Sequence, residues 1–97
     1  WYKDNSGETT HPAGQKKPNE LGLYDMSGNV HEWCWDFYGR YTGDSQRDPR
    51  GPASASLHML RGGSWFSFAG GCRVTDRGGY YPGDRAGSIG FRIVRNP

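Results

Sequence analysis

Arg61-Gly62-Gly63-Ser64-Trp65-Phe66-Ser67-Phe68-Ala69-Gly70-Gly71-Cys72, continued through Gly78-Gly79-Tyr80-Tyr81-Pro82-Gly83-Asp84 to Ile89-Gly90-Phe91-Arg92, is the stretch around which the chain is organised. Its two ends read as short apolar strands. Leu57 to Trp65 is rich in apolar and aromatic residues, and Ile89, Phe91 and Ile93 alternate with Gly90 and Arg92, the period of a half-buried strand. Both ends are therefore expected in the core. Between them no period holds, and aromatic rings stand beside glycines whose backbone turns without steric cost. That composition predicts loops that form a binding surface over residues 61–92.

The rest of the chain sets narrow limits on what this stretch can rest on. With 97 residues, 33% of them hydrophobic, and a mean hydropathy of -0.91, it makes at most one small domain with a thin core. Sixteen glycines and six prolines argue against long helices, since an interior glycine costs about 1 kcal/mol relative to alanine and proline about 3. An aromatic content of 14% separates it from disordered chains. A net charge of +2 and a pI near 8.7 single out no nucleic-acid partner. No apolar run is long enough to cross a bilayer, so direct membrane insertion of this segment is not expected. The chain opens on Trp1-Tyr2-Lys3 without a leader, and an upstream leader or lipid attachment stays open.

Outward from the central stretch, residues 1–20 read as loop and Leu21 to Met26 as a short apolar segment closing on the turn formers Ser27-Gly28-Asn29. Val30 to Tyr38 alternates, with His31, Trp33, Trp35 and Phe37 on one face, which predicts a strand anchored in the core by its rings. Gly39 to Ser56, broken by Asp48-Pro49-Arg50-Gly51-Pro52, reads as a long surface loop, and Cys72-Arg73-Val74-Thr75 as a short middle strand. Cys34 and Cys72 form no scaffold and no zinc spacing; one bridge or two buried thiols are equally compatible with them.

Gly22-Leu23-Tyr24-Asp25-Met26-Ser27-Gly28-Asn29-Val30-His31-Glu32-Trp33, Leu60-Arg61-Gly62-Gly63-Ser64-Trp65, Cys72-Arg73 and Gly90-Phe91-Arg92-Ile93-Val94 together resemble the formylglycine-generating-enzyme, or sulfatase-modifying-factor, family over residues 18–95. The resemblance implies an α+β fold, mostly irregular with short antiparallel strands, of the C-type lectin kind. It also implies that the chain is the C-terminal part of one such domain, 1–97, with the N-terminal half as a partner from another segment or chain. The family's enzymes use a copper-binding cysteine pair just after the Gly-Gly-Ser-aromatic motif. Here Phe66, Ser67 and Phe68 follow it, so no copper is expected and catalytic residues are not assigned. The family's Gly-Asn-Val-x-Glu-Trp segment contributes to a calcium site, which the resemblance carries onto Asn29, Val30 and Glu32 as hard oxygen ligands. The alternative is that Asn29 occupies a left-handed turn and Glu32 pairs with an arginine. His31 stands where the family has tryptophan.

The loops also resemble those of variable proteins diversified by retroelements, in which adenines of asparagine codons are rewritten. Phe66, Ser67, Phe68, Gly70, Gly71, Asp76, Gly78, Gly79, Tyr80, Tyr81, Gly83, Asp84, Gly87 and Ser88 can each be reached from AAC by changing adenines alone. No Lys, Glu, Gln, Met or Trp, which a codon ending in C cannot encode, occurs from Phe66 to Ser88. This resemblance implies a non-catalytic display domain for an unknown protein or other macromolecular ligand. Phe66, Phe68, Tyr80 and Tyr81 would supply contact area, Ser67, Asp76, Asp84 and Ser88 hydrogen bonds, and Gly70, Gly71, Gly78 and Gly79 shape. Export or display at the cell surface, as a lipoprotein or otherwise, goes with it. The competing readings are a formylglycine-generating-type enzyme and an accessory domain of a surface protein.

Overall fold

The computed structural model describes residues 1–96. Four strands form one sheet in the order β3-β2-β1-β4: β1 His31–Phe37, β2 His58–Arg61, β3 Gly78–Tyr80 and β4 Ile89–Gly90. The helical content of the described residues is one 3-10 turn, Ala69–Cys72, and most of the chain is irregular. The β1/β2 and β2/β3 pairs are antiparallel, while β4 runs parallel to β1, so the sheet is mixed.

β1 starts where Gly28 and Asn29, at φ 87° and 66°, turn the chain into extended backbone. The strand then departs from simple alternation. Trp33 pairs with Leu60 and Phe37 with His58, so four steps along β1 oppose two along β2. Trp35 lies inside that irregularity and is 95% exposed, with its carbonyl accepting a hydrogen bond from His58 Nδ1 at 3.1 Å. The expected aromatic core face is thus reduced to Trp33 and Phe37, both half-buried. A period-two pattern fixes a face only while the register advances evenly, and here it does not.

Among the described residues the buried apolar ones are Met59 and Leu60 of β2, one of the two inner strands. The C-terminal run expected in the core lies outside it: only Ile89–Gly90 joins the sheet, and Phe91, Ile93 and Val94 are 78%, 86% and 90% exposed. The predicted strand over 72–75 is absent as well. Cys72 closes the 3-10 turn, and the strand beside β2 is β3, whose Gly79 pairs with Met59. Among the described residues no helix is long and apolar enough to cross a membrane.

The tail after β4 is held by charge. Arg92 donates to both oxygens of Glu32, at 3.0 and 2.8 Å, and to the carbonyls of Tyr24 and Asp25 at 2.8 and 3.3 Å. The planar guanidinium suits this forked contact, and bonding to Glu32 raises its pKa further above its ordinary value.

Candidate binding surface

The pairing registers bring the start of β1, the end of β2 and the starts of β3 and β4 to one end of the sheet. Gly62 and Gly63, at φ 94° and 68°, turn the chain out of β2 there. At Gly63 only hydrogen fits, because a Cβ would sit 2.6 Å from the Gly71 carbonyl and 2.7 Å from Cys72 Sγ. The segment that follows is closed on itself. Ser64 is buried, its N–H donates to Ser67 Oγ at 3.0 Å, and its carbonyl accepts the Ser67 N–H at 3.0 Å.

Neighbouring segments fix the same turn from outside. Ser6 Oγ donates to the Trp65 carbonyl at 2.8 Å and the Lys3 N–H to that of Ser67 at 2.9 Å. The Trp65 N–H donates to the Asn29 carbonyl at 2.7 Å and its indole Nε1 to the Gly87 carbonyl at 3.1 Å. On this pinned backbone Phe66 and Phe68 are 61% and 69% exposed. The Lys3 ammonium stands 4.4 Å from the Phe68 ring and 5.4 Å from that of Phe66, within cation–π range. Lys3 escaped sequence reading because its aromatic partners lie more than sixty positions away.

The structure divides the sequence-predicted site residues into two groups. Phe66, Ser67, Phe68, Gly70, Gly71 and Asp76 gather around the 3-10 turn: a Cβ at Gly71 would lie 3.4 Å from Ser67 Cβ and 3.9 Å from Asp76 Oδ2. Tyr80, Tyr81 and Asp84 stand at the other end of β3, where Tyr80 pairs with His58. There Asp84 Oδ2 accepts the Tyr81 N–H at 3.0 Å and closes a turn that leaves Tyr80 and Tyr81 45% and 60% exposed.

Several of the expected contact residues take other parts. The Ser67 hydroxyl faces inward to Ser64, and Ser88 is half-buried with its carbonyl accepting the His31 N–H at 2.7 Å. Gly78 and Gly79 belong to a strand. A Cβ at Gly79 would stand 2.7 Å from Tyr38 Cγ, so this position supports the ring of Tyr38.

Of Asn29, Val30 and Glu32, expected as calcium ligands, Asn29 and Glu32 have their oxygens engaged within the chain. Asn29 Oδ1 accepts the His11 N–H at 2.9 Å and its amide donates to the His11 carbonyl at 2.9 Å. The Asn29 carbonyl is held by Trp65, and both Glu32 oxygens face Arg92. A cation there would have to displace a guanidinium. Among the described residues no three His, Cys, Asp or Glu side chains gather to hold a metal. Both cysteines are free, and burial raises each thiol above its ordinary pKa, which disfavours the nucleophilic thiolate. Burial lowers His31, opposed by the nearby Asp76 charge, and its Nδ1 is buried without a hydrogen-bond partner.

The model of the sulfatase-modifying factor enzyme 1-like domain matches residues 1–97. The chain belongs to this family. Within it, the fold resembles that of Treponema denticola variable protein 1, with a TM-score of 0.87 and 52% identity over 94% of this chain and 34% of that one. Among curated relatives, a serine/threonine-protein kinase pkn1 of Chlamydia pneumoniae is 41% identical over 81% of this chain and 13% of its own length. The formylglycine-generating enzyme of Streptomyces coelicolor is 36% identical over 91% and 30%. The chain thus spans a third or less of these curated relatives of the sulfatase-modifying factor family.

Proposed function

We propose that this chain is a non-catalytic ligand-binding part of a sulfatase-modifying-factor-like domain, whose loops over 61–92 display exchangeable side chains at the cell surface. The observation that carries this reading is the exposure of Phe66 and Phe68 on a turn whose backbone is hydrogen-bonded from both sides. A rigid frame that presents large rings to solvent gives contact area at low entropic cost on binding. Similarity to a variable protein at 52% identity supports the same reading. The ligand is a protein or other macromolecule, because the two exposed groups form open surface at opposite ends of β2 and β3.

The same reading includes a further segment or chain that completes the domain. Trp35, Val74 and Val94, all 82% exposed or more, line one apolar depression with Trp33 and give it a face to cover, and Phe91 and Ile93 are exposed as well. Sequencing the gene segment for Arg61 to Arg92 across sibling isolates, with its flanking DNA, tests the display function. Substitutions confined to the adenine-reachable positions, mirrored in a nearby template, are expected; an invariant segment would refute it.

The enzymatic alternative draws on the similarity to a formylglycine-generating enzyme. Aldehyde formed from a sulfatase-motif peptide in the presence of copper and oxygen would favour it. No aldehyde is expected, because Phe66, Ser67 and Phe68 follow the Gly-Gly-Ser-aromatic motif where the family's enzymes carry their cysteine pair.

A further inference from the structure

The loop over 39–52 folds back on the sheet and borders an open cavity of about 650 Å³, within the size range of small-molecule sites. Asp36, Arg40, Tyr41, Asp44, Arg61 and Arg77 line it; Arg61 and Arg77 fall within 61–92, but none of the six is among the adenine-reachable positions named above. Its wall is built by stacking. The Arg77 guanidinium carbon lies 3.6 Å from the Tyr41 ring centre and 5.2 Å from that of Tyr38, and Tyr38 in turn fills the space left by Gly79.

Among the described residues no carboxylate of the fold pairs with the guanidiniums on that wall. Arg61 is satisfied, donating to the Val74 and Asp76 carbonyls at 3.1 and 3.3 Å and to the Tyr41 hydroxyl at 3.0 Å. Among the described residues the ion pair formed is Arg92 with Glu32, so Arg40 and Arg77 face the cavity without a carboxylate, and Asp36 and Asp44 without a cation. Asp36 and Arg77 are half-buried, where an unpaired charge is least well solvated. Three guanidiniums, Arg40, Arg61 and Arg77, and two carboxylates, Asp36 and Asp44, thus share the lining, with the Arg61 donors already taken by neutral oxygens. A simple cation would meet the guanidiniums and a simple anion the carboxylates, whereas a molecule carrying both signs meets a partner for each.

We propose that this cavity is a constant subsite for a small zwitterion of the free amino-acid or short-peptide class, its ammonium on Asp36 and Asp44 and its carboxylate on Arg40 and Arg77. The site goes beyond the display function and does not depend on it. Calorimetric titration of the intact protein with glycylglycine is expected to give saturable heat, and titration with the uncharged N-acetylglycinamide none. Asp36→Asn, close in size, is expected to weaken glycylglycine by about tenfold, the loss of one charge-assisted hydrogen bond. Asp44→Asn, on the exposed loop, is expected to act in the same direction without moving the melting temperature. Alanine at Tyr80 and Tyr81 leaves this binding intact. Absence of heat with glycylglycine, equal heats for the two compounds, or unchanged affinity in both asparagine variants would each overturn the proposal.

Discussion

The bond between Arg92 and Glu32 shows how much a single pair contributes in a thin domain. It joins the tail after β4 to β1 and, through the Tyr24 and Asp25 carbonyls, to the segment before it. Arg92→Ala leaves a half-buried carboxylate unpaired and is expected to cost about 2 kcal/mol, read as a lower urea midpoint at unchanged slope. His31 has a different signature. Its folded pKa is lowered from an ordinary value of 6.5, chiefly by burial, so the unfolded chain binds the proton more readily. Stability from the neutral ring is therefore full above about 6.5 and falls as pH drops towards the folded pKa. Urea melts of the wild type below pH 6.5 are expected to lose stability faster than those of His31→Phe, which also removes the unpaired Nδ1.

At the scale of elements, β3 contradicts its own composition. Gly78-Gly79-Tyr80 has the residues of a loop, yet it pairs with β2 because Leu60 and Met59 present a flanking strand to it. The two glycines differ in what they permit. Gly79→Ala drives a methyl group into Tyr38 and is expected to cost about 1–3 kcal/mol. Gly78→Ala meets no atom within 4 Å and is expected to be tolerated, with thermal melts of the two variants separating them. In the turn from Ser64 to Phe68 the aperiodic rings and serines predicted loop, and the segment is loop with Phe66 and Phe68 exposed. The inward Ser67 hydroxyl was not legible, because its partner depends on the local hydrogen-bond geometry of a closed turn rather than on residue type.

For the whole molecule, a Cα radius of gyration of 14.1 Å compares with about 13 Å for a compact domain of 100 residues. With Met59 and Leu60 as its buried apolar residues and Leu21, Val74 and Val94 at least 81% exposed, the chain is short of core. Alone, it is expected to bind a dye of exposed apolar surface and to melt broadly, and to lose both properties when the completing segment proposed above is supplied. A sharp transition without dye binding would show that the face needs no cover. Display makes a complementary demand on the other surface: Tyr80→Ala with Tyr81→Ala is expected to abolish ligand capture at an unchanged melting temperature, since both residues are exposed. Retained capture by that double variant would remove these rings from the binding surface.

The sequence by itself determined the family, the thin core, the strands β1 and β2 and the irregular aromatic loops, because these follow from alternation, turn residues and motifs within short windows. Tertiary structure decided what depends on partners far along the chain. It turned Trp35 out through a shifted register, made a strand of two glycines, and engaged Glu32 with an arginine sixty positions away. It also left Phe91, Ile93 and Val94 in solvent, because alternation marks which side chains call for burial and only neighbouring chain can bury them.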